Sequence, residues 1–284
     1  MNNRNYNRKK PVNGSAEHDF RHKKSLGQNF LADVSLLDQI VDLAGVTSED
    51  EVLEIGTGLG SLTERLAKRC KHVTTVEIDD TLIPILKVSL GKYDNVTLLH
   101  ENALKLDFGK LMADRGPFKI VANIPYYLTT ELLTKLLKAD LNLLSVSVMV
   151  QKEAADRITA VPGDESYGIL SVRTAWKGIA SQVLDVPAEL FDPPPKVDSA
   201  FVNIVMRKNA PVENADGKLV MKVAEFAFLN RRKTLANNLI AGFHITKEQA
   251  ESILEECGML RTVRGEELNI EQFAQVAIAL ENYI

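Results

Sequence analysis

Apolar positions along the chain follow two rhythms, and where the rhythm changes is informative. In DVSLLDQIVDLA (33–44), Leu36, Leu37, Ile40, Val41 and Ala44 recur at helical spacing and predict a helix with one buried face. EVLEIG (51–56), HVTTVEID (72–79), NVTLLHEN (95–102), FKIVANI (118–124) and SVSVMVQ (145–151) are short apolar or β-branched runs and predict strands. Between them, SLTERLAKRC (61–70), DTLIPILKVSL (80–90) and TTELLTKLLKA (129–139) predict helices. Pro84 falls near a first turn, where proline is tolerated, and Thr129 stands where it could cap its helix. Strands alternating with helices predict a parallel sheet covered on both faces. SQVLDVP (181–187) and SAFVNIVMR (199–207) flank a proline-rich loop, which predicts an antiparallel pair at the sheet edge. From about 215 the strand pattern stops and four helical stretches follow, predicting a small all-α unit over 209–284 after an α/β domain over 23–208. Residues 1–22 read as a basic, disordered arm.

Composition adds few exclusions. With 284 residues, 45% hydrophobic and 25% charged, the chain is long enough for one large domain plus a small partner. Cys70 and Cys257 make no disulfide framework and match no metal spacing, which fits a reducing cytoplasm. The five histidines show no ligand spacing, so no metal is assigned. The polar N-terminus lacks the apolar core of a signal peptide, and no apolar stretch is long enough to span a bilayer. The net charge of −4 argues against a nucleic-acid partner until its distribution is seen. Residues 1–24 carry about +5 and the remainder about −9. A basic arm on an acidic body suits phosphate contact, and equally a solvated tail.

Candidate chemistry gathers at strand ends. EIGTGLGSLT (54–63) closes a strand and opens a helix, with Gly56, Gly58 and Gly60 in G-x-G-x-G spacing. It lacks the G-x-G-x-x-G of a dinucleotide fold and the Gly-Lys-Ser/Thr of a P-loop. Glu77 ends the next strand, about twenty residues on, where an acid can hold both ribose hydroxyls. Asn102 follows, with an amide that offers donor and acceptor to an adenine edge, and Asn123 opens NIPYY (123–127). Ligands of open α/β sheets bind outside the carboxyl ends of strands, so four such residues in series describe a nucleoside site.

That order, with KKSLGQNFL (23–31) upstream and FDPPPKVDS (191–199) downstream, resembles the rRNA adenine N6-dimethyltransferase family over roughly residues 21–284. FLNRRKTLANNL (228–239) is similar to its bacterial small-subunit branch. The resemblance implies a class I methyltransferase fold: a mostly parallel seven-stranded sheet with an antiparallel edge hairpin, plus a helical C-terminal domain. It implies S-adenosylmethionine as cofactor, held by Gln28, Asn29, Leu31, Gly56, Gly58, Glu77, Ile78, Asn102, Ala103 and Asn123. Position 102 departs from the family, which usually has Asp; Asn keeps the acceptor oxygen and loses the charge.

The implied reaction places a methyl group on adenine N6, whose lone pair is delocalised into the ring. Acceptors on its two N–H bonds would localise that pair. The Asn123 side-chain oxygen and the Ile124 carbonyl, presented by the rigid Pro125, are candidates, with Tyr126 as a stacking face for a flipped base. Phe191 either forms the second slice of that sandwich, which the resemblance favours, or is buried in the core. Arg21, Lys23, Lys24, Lys196, Arg231, Arg232 and Lys233 are candidate phosphate contacts, the last three expected at the start of a helix and equally able to pair with Glu225 or be solvated. The expected partner is 16S rRNA in an immature small subunit, met in the cytoplasm by a monomer without metal. A large-subunit enzyme of the erythromycin-resistance type and a non-catalytic assembly factor stay open.

Overall fold

The computed structural model describes residues 29–31 and 33–284. The basic arm, Arg21, Lys23, Lys24 and Gln28 lie outside the described residues. Nine strands are described: β1 (Phe30–Leu31), β2 (Glu51–Ile55), β3 (His72–Glu77), β4 (Val96–His100), β5 (Phe118–Asn123), β6 (Leu143–Gln151), β7 (Gly178–Val186), β8 (Phe191–Asp192) and β9 (Ser199–Met206). The helices are α1 (Val34–Leu43), α2 (Ser61–Ala67), α3 (Ile83–Leu90), α4 (Phe108–Leu111), α5 (Thr129–Lys138), α6 (Lys152–Thr159), α7 (Ile169–Lys177), α8 (Gly217–Ala227), α9 (Leu235–Phe243), α10 (Lys247–Glu256) and α11 (Ile270–Leu280).

Seven strands form one sheet in the order β4-β3-β2-β5-β6-β9-β7. The first five run parallel, while β9 is antiparallel to both β6 and β7. β1 and β8 form a separate antiparallel pair, Leu31 opposite Phe191.

Neighbouring residues on the central strands enter opposite cores, as strand alternation requires. Val52, Val121, Met149 and Phe201 face the core under α1 and α2, while Leu53, Ile120, Val148 and Val202 face the core under α5. α5 contributes Leu132, Leu133, Leu136 and Leu137, all 0–1% exposed. The buried face read from 33–44 is present, and Asp33 caps α1 by accepting from the Ser35 and Leu36 N–H groups. Thr129 does not cap α5. A turn of 3-10 helix over Tyr126–Leu128 runs directly into α5, so Thr129 is already helical and its buried hydroxyl finds no partner.

The C-terminal helices enclose a second core, which reaches back across residue 208. Tyr167 and Val172 belong to it, the Tyr167 hydroxyl donates to the Leu268 carbonyl, and Trp176 packs on Gly217. α7 therefore ties the two cores together, with Leu170 in the sheet core and Val172 in the helical one.

Candidate active site

The parallel strands deliver their C-terminal ends to one cleft, of about 1030 Å³ counted to its open mouth. Its floor is the turn after β2. Gly56, Gly58 and Gly60 have φ of +86°, +58° and +82°, a left-handed conformation at every second residue that explains the glycine spacing. Space reinforces conformation at Gly58, where a Cβ would stand 3.0 Å from the Phe30 ring. Gly60 precedes the first residue of α2 and aims that helix's N-terminus beside the cleft.

Glu77, at the end of β3, fixes this floor. Its Oε2 accepts from the Gly58 N–H at 2.8 Å, and its Oε1 accepts from the Ile78 and Asp79 N–H groups, each at 2.8 Å. Burial raises its carboxyl above the ordinary value, against these three donors. Beside it Leu59 and Ile78, each 42% exposed, offer apolar surface.

Asn102 stands two residues beyond β4 and lines the same cleft with Ala103. Its Oδ1 accepts from the Leu104 N–H at 2.9 Å. The acceptor oxygen read from the sequence is thus engaged within the chain, and the side chain's spare group is its NH₂ donor. The loop is pinned from below by Lys135 of α5, whose Nζ donates to the carbonyls of Ala103, Leu104 and Leu106 at 3.3, 2.6 and 2.5 Å and lies over the Phe108 ring. On the sequence this lysine looked like an exposed helical position.

Asn123 ends β5. Its Nδ2 donates to the Asn29 carbonyl at 3.1 Å, which orients the amide and leaves Oδ1 with no donor among the described residues. The Ile124 carbonyl likewise accepts no hydrogen bond from a described residue. Pro125 holds φ at −53°, and the Tyr126 hydroxyl is fixed to Ser199 Oγ at 2.7 Å. Tyr127, 56% exposed, is the other ring lining the cleft. Asn29 and Leu31 line it as expected, and so does Phe30, which the sequence reading passed over.

Phe191 takes the buried alternative. It is 4% exposed and packs in the core under α1 and α2, because β8 pairs with β1 and draws the ring inward. Lys196 is exposed in the loop that follows. Arg231, Arg232 and Lys233 precede α9 rather than start it, because Thr234 is the cap, accepting from the Asn237 N–H. Arg231 pairs with Glu266 at 3.5 Å, while Glu225 is taken by Arg173 at 3.0 Å. Arg232 and Lys233 are exposed, with no ion pair among the described residues.

Two strand-end amides at the rim, an acid positioned for a diol and a glycine floor make a nucleoside cleft. Residues 19–282 match the family described as Ribosomal RNA adenine dimethylase. The chain belongs to that family. Among relatives of the adenine dimethylase family, the ribosomal RNA small subunit methyltransferase A of Oceanobacillus iheyensis is 44% identical over 94% of this chain and 93% of its own. That of Staphylococcus haemolyticus is 42% identical over 93% and 92%. Among solved structures, a dimethyladenosine transferase from Plasmodium falciparum is 27% identical with a TM-score of 0.76, covering 89% of this chain and 97% of its own. The 23S rRNA methyltransferase ErmE is 26% identical with a TM-score of 0.70, covering 89% and 100%. The dimethylase fold thus spans enzymes of both ribosomal subunits, and the higher sequence identities above are with small-subunit proteins.

Proposed function

We propose that the chain dimethylates N6 of two adjacent adenines in a loop near the 3′ end of 16S rRNA, acting in the cytoplasm on immature small subunits with S-adenosylmethionine as cofactor. The observation that carries this reading is the rim of the cleft, where the Asn123 Oδ1 and the Ile124 carbonyl are two acceptors without donors beside a fixed Tyr126 ring.

The residues present fit the cofactor. Gly58 leaves the space a Cβ would fill, and Glu77 Oε2 retains an acceptor site for a ribose hydroxyl. Ile78 and Leu59 offer faces for an adenine ring. S-adenosylmethionine supplies the electrophilic methyl group. The chain's own work is positioning: Asn123 and Ile124 accept from the target amine and aim its lone pair, and Tyr126 stacks on the extruded base. Requiring no strong general base, the arrangement relies on preorganised acceptors in a partly dehydrated cleft. The acceptors still serve when N6 carries one methyl group, as a second transfer demands. Lys196, Arg232 and Lys233 are the described candidates for phosphate contacts, each expected to weaken RNA binding more at low than at high salt.

Labelled S-adenosylmethionine, separated ribosomal subunits and nucleoside mass spectrometry test the proposal. N6,N6-dimethyladenosine in small-subunit RNA alone is the expected result. Label in large-subunit RNA would move the chain to the resistance type, and a bound cofactor with no transfer would favour an assembly factor.

Asn102 yields a further expectation. In Asn102→Asp, one carboxylate oxygen can keep the Leu104 N–H while the other presents an acceptor to the cofactor's adenine amine. Net gains of this kind are about 1 kcal/mol, so calorimetry should show about fivefold tighter cofactor binding. Unchanged or weaker binding would mean that the Asn102 NH₂ does not face the adenine.

A further inference from the structure

Glu54 is an acid in the wall of the cleft, wholly buried, with one oxygen satisfied and the other orphaned. Its Oε2 accepts from Thr63 Oγ1 of α2 at 2.5 Å and from Thr75 Oγ1 of β3 at 2.6 Å. Thr75 is in turn 2.7 Å from Thr57 Oγ1. Each hydroxyl has one proton, so with Thr75 donating to Glu54, Thr57 donates to Thr75. Oε2 then holds two donors, and a proton on this carboxyl can sit only on Oε1. Oε1 has no partner among the described residues. An isolated buried carboxylate is costly, and an orphaned carboxylic O–H also forfeits a hydrogen bond. The site is complete only when a ligand atom reaches Oε1.

The surroundings determine which charge state waits there. Burial pushes the Glu54 carboxyl up to about 8, the two threonine donors oppose this, and the charge of Glu77 on β3 adds to it. Leu37 of α1, Phe30 of β1 and Leu62 of α2 line the same cleft without charge, and Glu101 beyond β4 adds only another carboxylate. No cation among the described residues lines the cleft. A neutral acid in an empty anionic cleft awaits a cationic ligand.

Resting on the cofactor reading above, we propose that Glu54 couples cofactor binding to proton release, its Oε1 giving up a proton to solvent and accepting an N–H of the cofactor's α-ammonium group. The Oε1–H bond breaks, the proton leaves through the cleft mouth, and the carboxylate and ammonium form an ion pair with no change of total charge beyond that proton. Glu54 is then a binding residue whose charge appears only when its partner does.

Calorimetry in buffers of different ionisation enthalpy counts the protons. An α-amino group titrates at about 7.7–8.0. At pH 6 both partners are protonated, and S-adenosylmethionine binding should release close to one proton. At pH 9 both are deprotonated and the same complex should take up close to one, so the count changes sign near pH 8. Below pH 7 affinity should rise about tenfold per pH unit. S-adenosylhomocysteine, which keeps the ammonium, should behave alike, whereas 5′-methylthioadenosine, which lacks the amino acid, should release none. Glu54→Gln should bind more weakly with no release at pH 6; the wild-type pH series stands by itself if that variant fails to fold. Binding without proton release at pH 6 would overturn the proposal and leave the cofactor reading intact. Release with methylthioadenosine, or release that persists in Glu54→Gln, would overturn it as well. Absence of binding by all three compounds would overturn the cofactor reading itself.

Discussion

Asn123→Ala is expected to lower methyl transfer by about two to three orders of magnitude, the range seen when a single preorganised polar group is removed from a transition-state site. The chemistry needs the N6 lone pair turned out of conjugation as the methyl group arrives, and an acceptor on one N–H does this only if its direction is fixed beforehand. In the structure that direction is set by the Asn123 Nδ2 bond to the Asn29 carbonyl, which holds Oδ1 toward the cleft. Alanine removes acceptor and tether together. The tether is a single, partly buried hydrogen bond worth about 1 kcal/mol, so the melting temperature should barely move and cofactor affinity should fall by less than tenfold. Single-turnover transfer under saturating cofactor checks the rate, and calorimetry checks the binding. A loss confined to KM for RNA would assign Asn123 to substrate docking instead. Subunit maturation that persists in the inactive variant would show that assembly and catalysis are separable in this chain.

The strand ends of this site were legible in the sequence, because a polar residue closing an apolar run has few structural reasons to be there. Glu77, Asn102 and Asn123 stand out in that way, and all line one cleft. The glycine spacing was legible for a similar reason: alternate left-handed residues admit few alternatives. The supporting contacts were not. Lys135 lies on α5 in a sequence that reads as amphipathic, and only the packing of that helix shows its ammonium inside three carbonyls of another loop. Glu54 sits in EVLEI, where an acid could as well face water; its burial depends on two threonines 9 and 21 residues away. Phe191 could be weighed but not decided, since the choice between base and core rests on the pairing of two-residue strands 160 positions apart. α6 and α7 gave no strong signal: α6 buries only Ala155 and Ile158, and α7 divides its apolar residues between two cores. The N-terminal boundary of the helical unit was misplaced for that same reason.

Glu77→Gln, although nearly isosteric, should weaken cofactor binding by about a hundredfold. Every lone-pair direction that matters at Glu77 is already assigned: Oε2 to Gly58 N–H, Oε1 to Ile78 and Asp79 N–H. A carboxamide has one acceptor oxygen, so whichever way it turns, its NH₂ must face a backbone donor. The less costly orientation keeps Ile78 and Asp79 and sets Nε2 against the Gly58 N–H, at a position that held a 2.8 Å bond. Gly58 must then move, and with it the floor against the Phe30 ring. A buried donor left unsatisfied costs about 1–3 kcal/mol, and a lost hydrogen bond from a ribose hydroxyl to a charged acceptor costs about 1.5–3 kcal/mol. Only part of the first falls on the free protein, so its melting temperature should drop by several degrees while binding carries the rest. Calorimetry with S-adenosylmethionine and a thermal melt of the free chain separate the two. Glu77→Ala removes the clash yet leaves all three N–H groups to water, and should bind as weakly. If Gln bound within threefold of wild type, the three backbone bonds would be incidental and the ribose would be held elsewhere. If Gln were weak and Ala near normal, the defect would be the introduced donor alone.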